Sequence, residues 1–129
     1  KALIATGQIY AVMSTHVVVT AVDPTRPASL SYPVLTGILR DKLGFNGVLI
    51  TDGIYMASLT AHYTYPQIIL DAVEAGNDII CSTFNIQVTA EAEQVLYDAV
   101  MNGTLSKSRI DDSVRRILLL KLRLGLLHA

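Results

Sequence analysis

The sequence has little that would tie it to a disulfide framework, a charged partner or a membrane. One cysteine, Cys81, stands among 129 residues. That excludes an internal disulfide and a thiolate metal cluster, and in its apolar run the residue reads as core. Lys and Arg total 10 against 11 Asp and Glu, a net charge of −1. Such a balance gives no electrostatic case for nucleic acid or an anionic membrane as partner. The longest apolar runs, such as the valines at 17–19 and the stretch 117–120, are too short to span a bilayer. No G-x-G-x-x-G or P-loop follows a strand-like run, which argues against nucleotide binding. There is no internal repeat or low-complexity segment. Lys1 is not an initiator methionine, which leaves room for a removed leader and leaves the compartment, cytoplasmic or secreted, unassigned.

What is present is apolar and regularly alternating. Hydrophobic residues make up 51 % of the chain and the mean hydropathy is +0.43. Three short apolar runs, at 10–14, 48–51 and 78–82, read as strands. Helical spacing fills the intervals. Val34, Leu35, Ile38, Leu39 and Leu43 follow Pro33 and stop at Gly44. Ile68, Ile69, Ala72 and Val73 follow Pro66 and stop at Gly76, with a loop expected between Asp52 and about Tyr65. Ala92, Val95, Leu96, Ala99 and Val100 form a stripe that ends at Asn102-Gly103. Ser108 to Asp111 reads as a capping box opening a last helix to about Leu124, whose Lys121 and Arg123 suit the negative helix pole. Short, wholly apolar strands separated by helices predict one α/β domain over 1–129, with about three parallel strands covered by helices.

In such folds the chemistry gathers where strands run out into loops. The three runs end in Ser14-Thr15-His16, in Thr51-Asp52 and in Cys81-Ser82-Thr83. Asp52 is thereby a candidate pocket carboxylate, although an Asp-Gly pair also suits a simple turn. His16 is a candidate beside it, with a histidine bonded to neighbouring backbone as the plainer reading.

These residues also carry a family resemblance. The strand end Val12-Met13 with His16 is followed by Asp23 and Pro27-Ala28-Ser29-Leu30-Ser31. Next come Leu39-Arg40, Leu43-Gly44-Phe45, Gly47, Thr51-Asp52 and Met56. Together they resemble glycoside hydrolase family 3, and most of all its β-N-acetylhexosaminidase branch. The stretch 71–80 and the closing helices fit the same pattern. The resemblance implies a partial TIM-like barrel, taken as the carboxyl-terminal part of the catalytic (β/α)₈-type barrel. It implies a retaining hydrolase of β-linked sugars, terminal N-acetylhexosamine above all, with Asp52 as nucleophile and His16 and Met56 lining the substrate pocket. No metal or organic cofactor is implied, because carboxylate and proton chemistry suffice.

Two departures accompany it. Gly53 replaces the bulkier residue the family usually places after the aspartate, which would loosen the loop. The G-D-T-x-x-D-x-H acid/base motif and the upstream sugar-gripping lysine-histidine and arginine residues have no match. His62, in the loop after Asp52, is not promoted to that role. The expected partners are therefore a carbohydrate substrate and the amino-terminal part of the barrel, or a self-associated copy, covering the open strand edges. The alternative is a non-catalytic, barrel-derived binding or assembly module.

Overall fold

The computed structural model describes residues 1–82 and 86–127. A short helix α1 (Ala2–Ala5) leads into strand β1 (Ala11–Ser14). A loop then folds back on itself through an antiparallel bridge between Val18 and Pro27, and closes in a 3-10 turn at Ala28–Leu30. A π-helix (Pro33–Lys42) carries the chain to β2 (Val48–Thr51). The short helix α2 (Ala57–Thr60) interrupts the expected loop, and α3 (Tyr65–Ala75), α4 (Ile86–Met101) and α5 (Lys107–Arg123) follow.

β1 and β2 pair in parallel, with Val12 opposite Leu49 and Ser14 opposite Thr51. Alternation along a strand puts Val12 and Leu49 on one face. There they pack with Leu35, Phe45 and Ala75 beneath the helices. Met13 and Ile50 fall on the other face, and Asp52 shares their parity. Met13 is 54 % exposed, so that face is open to solvent at β1, while Val48 on the same face is buried.

The third expected strand is corrected to a single parallel bridge, Ile50 to Ile79, in a two-stranded sheet among the described residues. Side chains have taken over the ladder. The Asp78 carboxylate accepts the Leu49 N–H at 3.0 Å, and the Thr51 hydroxyl accepts the Cys81 N–H at 2.9 Å. Each replaces a carbonyl that regular pairing would have used. The chain at 79–81 still runs beside β2, because Thr51 N–H donates to the Ile79 carbonyl at 3.0 Å.

Two glycines are required by contacts. A Cβ on Gly47 would lie 2.5 Å from the Tyr10 carbonyl oxygen and 2.7 Å from the Phe45 ring. Its absence lets the chain approach closely enough for Val48 N–H to reach that same carbonyl at 3.0 Å. Gly76 ends α3 at φ +124°, where a Cβ would meet the Thr36 hydroxyl at 2.7 Å. At the other end of α3, Thr64 and Gln67 form a capping box. The box expected at Ser108 lies two residues earlier, where Ser106 accepts the Arg109 N–H and begins α5. No described helix is long and apolar enough to cross a membrane.

Candidate active site

Asp52 directly follows β2, and its backbone extends the pairing, since its N–H donates to the Ser14 carbonyl at 2.8 Å. The side chain is half-buried. Oδ1 accepts the Gly53 N–H at 2.7 Å. Oδ2 has no hydrogen bond among the described residues. A carboxylate in this state is held in place while one oxygen stays available.

The loop beyond it is anchored rather than loosened by Gly53. The Gly53 carbonyl accepts from Met56 N–H at 3.2 Å and from His16 Nε2 at 3.0 Å. Ile54 is fully buried, with Leu59, Ile68 and Ile69, and its N–H donates to the Cys81 carbonyl at 3.2 Å. The Tyr55 ring lies 5.2 Å from that of Tyr65. Burial, reinforced by hydrogen bonding to Tyr65, pushes the Tyr55 hydroxyl up to about 12, so it stays neutral.

His16 is brought to the same end of the sheet as Asp52. Its Nδ1 lies 2.7 Å from the Ser29 hydroxyl. With Nε2 on Gly53, both ring nitrogens are engaged by protein groups. Met56 caps α2 and is 48 % exposed beside this loop. His62 is exposed, and its N–H donates to the Leu59 carbonyl. Ser82 closes the third run, while Thr83 lies outside the described residues.

The loop between β1 and the π-helix is organised by Asp23. Its carboxylate accepts from the Thr25 N–H and hydroxyl, from the Arg26 N–H, and from the Ser31 hydroxyl at 2.7 Å. The Ser31 and Thr25 bonds lead in holding its pKa down to about 2. Asp23 is therefore the hub that shapes the Pro27–Ser31 segment, including Ser29.

The opposite end of the sheet holds an ionic cluster that the sequence reading did not identify. The Asp78 side chain has no exposed surface, and Arg40 reaches it at 2.7 Å, Arg116 at 3.0 Å and Arg109 at 3.7 Å. Ser113 donates to it at 2.8 Å. Burial draws the Arg40 and Arg109 guanidinium groups below their ordinary value, and the Asp78 charge opposes that shift. A carboxylate at the start of a buried apolar run was the available signal, because such a charge must find partners. A cleft of about 600 Å³ lies at this same end, lined by Tyr10, Phe45, Arg115, Arg116, Leu119 and Arg123. No carboxylate lines it, so the two-carboxylate chemistry of glycoside hydrolysis has no group there. This cleft and the candidate chemistry are at different ends of the sheet.

Comparison with known proteins supplies the family. Residues 1–120 match the model described as the glycosyl hydrolase family 3 N terminal domain. The chain is 40 % identical to the solved family 3 β-N-acetylglucosaminidase of Paenibacillus sp. str. FPU-7, with a TM-score of 0.90 over 98 % of this chain and 24 % of that one. It is 33 % identical over 100 residues to a β-N-acetylglucosaminidase/β-glucosidase of Cellulomonas fimi, covering 78 % of this chain and 17 % of the relative. A β-hexosaminidase A of Pseudoalteromonas piscicida is 30 % identical over 105 residues, 77 % of this chain and 18 % of its own length. The chain thus spans less than a quarter of these relatives. The matched model is the family's N-terminal domain, so the carboxyl-terminal label can refer only to a part of that domain. The chain belongs to glycosyl hydrolase family 3, within its N-terminal domain.

Proposed function

We propose that this chain is the nucleophile-bearing stretch of a barrel in a larger, retaining glycoside hydrolase acting on terminal β-linked N-acetylhexosamine. The observation that carries the reading is Asp52. Its backbone is tied to β1 at 2.8 Å, Oδ1 is held by Gly53, and Oδ2 is left without a partner among the described residues. In the proposed first step Oδ2 attacks the anomeric carbon. The glycosidic C–O bond breaks, and the leaving oxygen takes a proton from an acid supplied outside these residues. In the second step water attacks the glycosyl–Asp52 ester, that same group accepts the water proton, and the Asp52 carboxylate is released. Met56, exposed beside the loop, is the proposed apolar contact for the sugar. The substrate class rests on the relatives named for N-acetylglucosamine and hexosamine hydrolysis.

The same reading accounts for the open surfaces. β1 pairs only with β2 among the described residues, and Met13, Val17 and Val18 are 54 %, 64 % and 42 % exposed. The proposed cover is the remainder of the barrel, with a second copy of the chain as the other outcome. Analytical ultracentrifugation tests this directly. A stable 14.0 kDa monomer without a companion would contradict the proposal that these faces need covering. Turnover of an aryl N-acetylglucosaminide by the full-length protein, abolished in Asp52→Asn, tests the chemistry.

A further inference from the structure

Asp52 is fixed through Gly53, and a glycine has no side chain of its own to hold it. Its carbonyl is held by the Met56 N–H at 3.2 Å and, from across the sheet end, by His16 Nε2 at 3.0 Å. The Gly53 carbonyl can only accept, so the Nε2 atom 3.0 Å away must carry the proton. In the neutral ring that makes Nδ1 the acceptor for the Ser29 hydroxyl at 2.7 Å. Ser29 is itself held from several sides. It is fully buried, its N–H donates to the Thr15 carbonyl at 3.0 Å, and its carbonyl accepts from Asn77 Nδ2 at 2.8 Å. Asn77 is buried too, donating to the Ala72 carbonyl at 2.8 Å and accepting from the Ser14 hydroxyl at 2.7 Å. A continuous chain of hydrogen bonds therefore runs from the end of α3 through Asn77, Ser29 and His16 to Gly53. It ends one residue from Asp52, at the glycine whose N–H touches Oδ1.

We propose that His16, with a proton on Nε2, is the positioning residue of the nucleophile and not a sugar contact. The proposal rests on the reading of Asp52 as nucleophile. Both ring nitrogens are spent on the protein, so none remains to bind a hydroxyl or acetamido group of the substrate. The effect of the ring is to hold the Gly53 carbonyl, and through the φ/ψ of Gly53 the N–H that meets the Asp52 carboxylate. Small misplacement of a reacting group is costly, so the consequence is in rate rather than affinity.

The test uses the full-length protein and a 5-fluoro glycosyl fluoride of N-acetylglucosamine, which traps the attacking carboxylate as an ester. Labelling of Asp52 in the unmodified protein is the starting condition. If no label arrives there, the nucleophile reading fails and this inference fails with it, before any His16 variant is made. With Asp52 labelled, His16→Ala should slow labelling and lower kcat by ~10- to 100-fold, while KM moves by less than about threefold. His16→Gln, which can still offer an N–H to Gly53, should recover part of that rate. A loss confined to KM would make His16 a sugar contact and overturn the proposal, as would an unchanged labelling rate in His16→Ala. Should the variants fail to fold, ¹⁵N NMR of the unmodified imidazole decides alone. A proton on Nε2 upholds the assignment, and a proton on Nδ1 with bare Nε2 overturns it.

Discussion

Two aspartates flank β2, and the chain uses them in opposite ways. Asp78 meets the strand near its start, at Leu49, and Asp52 follows its last residue, Thr51. Asp78 is wholly enclosed, with three guanidinium groups, a serine hydroxyl and a backbone N–H directed at its two oxygens. Asp52 accepts a single hydrogen bond among the described residues, from its own neighbour, and is only half-buried. The difference is one of remaining capacity. A carboxylate whose lone pairs are all occupied can tie elements together but cannot react. A carboxylate fixed by backbone, with one oxygen in reserve, can. The amino end of this strand is therefore read as the stabilising end and the carboxyl end as the reactive one, in line with parallel α/β barrels generally.

The comparison can be broken by exchanging the consequences of mutation at the two ends. The largest effect should be that of Asp52→Asn in the full-length protein: turnover falls by ~10⁴-fold or more, as for loss of a nucleophile. Folding stability should change by no more than about 0.5 kcal/mol, as for a surface-like site. Urea denaturation beside an aryl-glycoside assay checks both halves. Asp78→Ala should do the reverse. Leaving Arg40, Arg109 and Arg116 without their carboxylate should cost ~3–5 kcal/mol, with activity per folded molecule retained. The same pair of measurements reads it, and a stable but inactive Asp78→Ala would erase the distinction between the ends.

Smaller changes sharpen the picture. Gly47→Ala forces a methyl group against the Tyr10 carbonyl and the Phe45 ring, so it should lower stability by ~1–3 kcal/mol in a thermal or urea melt. Asp23 gives the smallest effect and a defined pH window. Its folded pKa is held to about 2 against an ordinary 3.8. A depressed carboxyl stabilises the fold above its unfolded pKa, and that contribution is lost as pH falls from about 4 through about 2. Asp23→Asn should remove this part of the acid limb of a stability–pH curve, leaving the neutral limb merely shifted.

The same contrast explains what could be read from sequence. β2 and the position of Asp52 were legible because four apolar residues followed by a carboxylate are a local pattern. The stop of α3 at Gly76 was legible for the same reason, since a left-handed terminus calls for glycine. The ionic cluster was not, because Arg40 and Arg116 each lie 38 residues from Asp78 and only the folded chain unites them. The third strand was half legible. Its apolar run is real, yet Asp78 and Thr51 side chains take bonds that spacing alone would assign to the backbone. The π-helix read simply as helix, because the apolar spacing of Val34, Leu35, Ile38 and Leu39 does not separate i→i+5 from i→i+4 bonding. The cap at Ser106 was missed because Ser108 offers the same hydroxyl two residues on. His16 was found as a residue, but its tie to Ser29 and Gly53 depends on two loops meeting.

The central claim is that Asp52 is the group that attacks the sugar. The direct measurement is peptide mapping by mass spectrometry of the full-length protein after trapping with the 5-fluoro glycosyl fluoride. The account predicts one glycosyl adduct, carried by the peptide containing Thr51-Asp52-Gly53 and located on Asp52. An adduct on any other carboxylate, or none in a protein that still turns over the substrate, would contradict it.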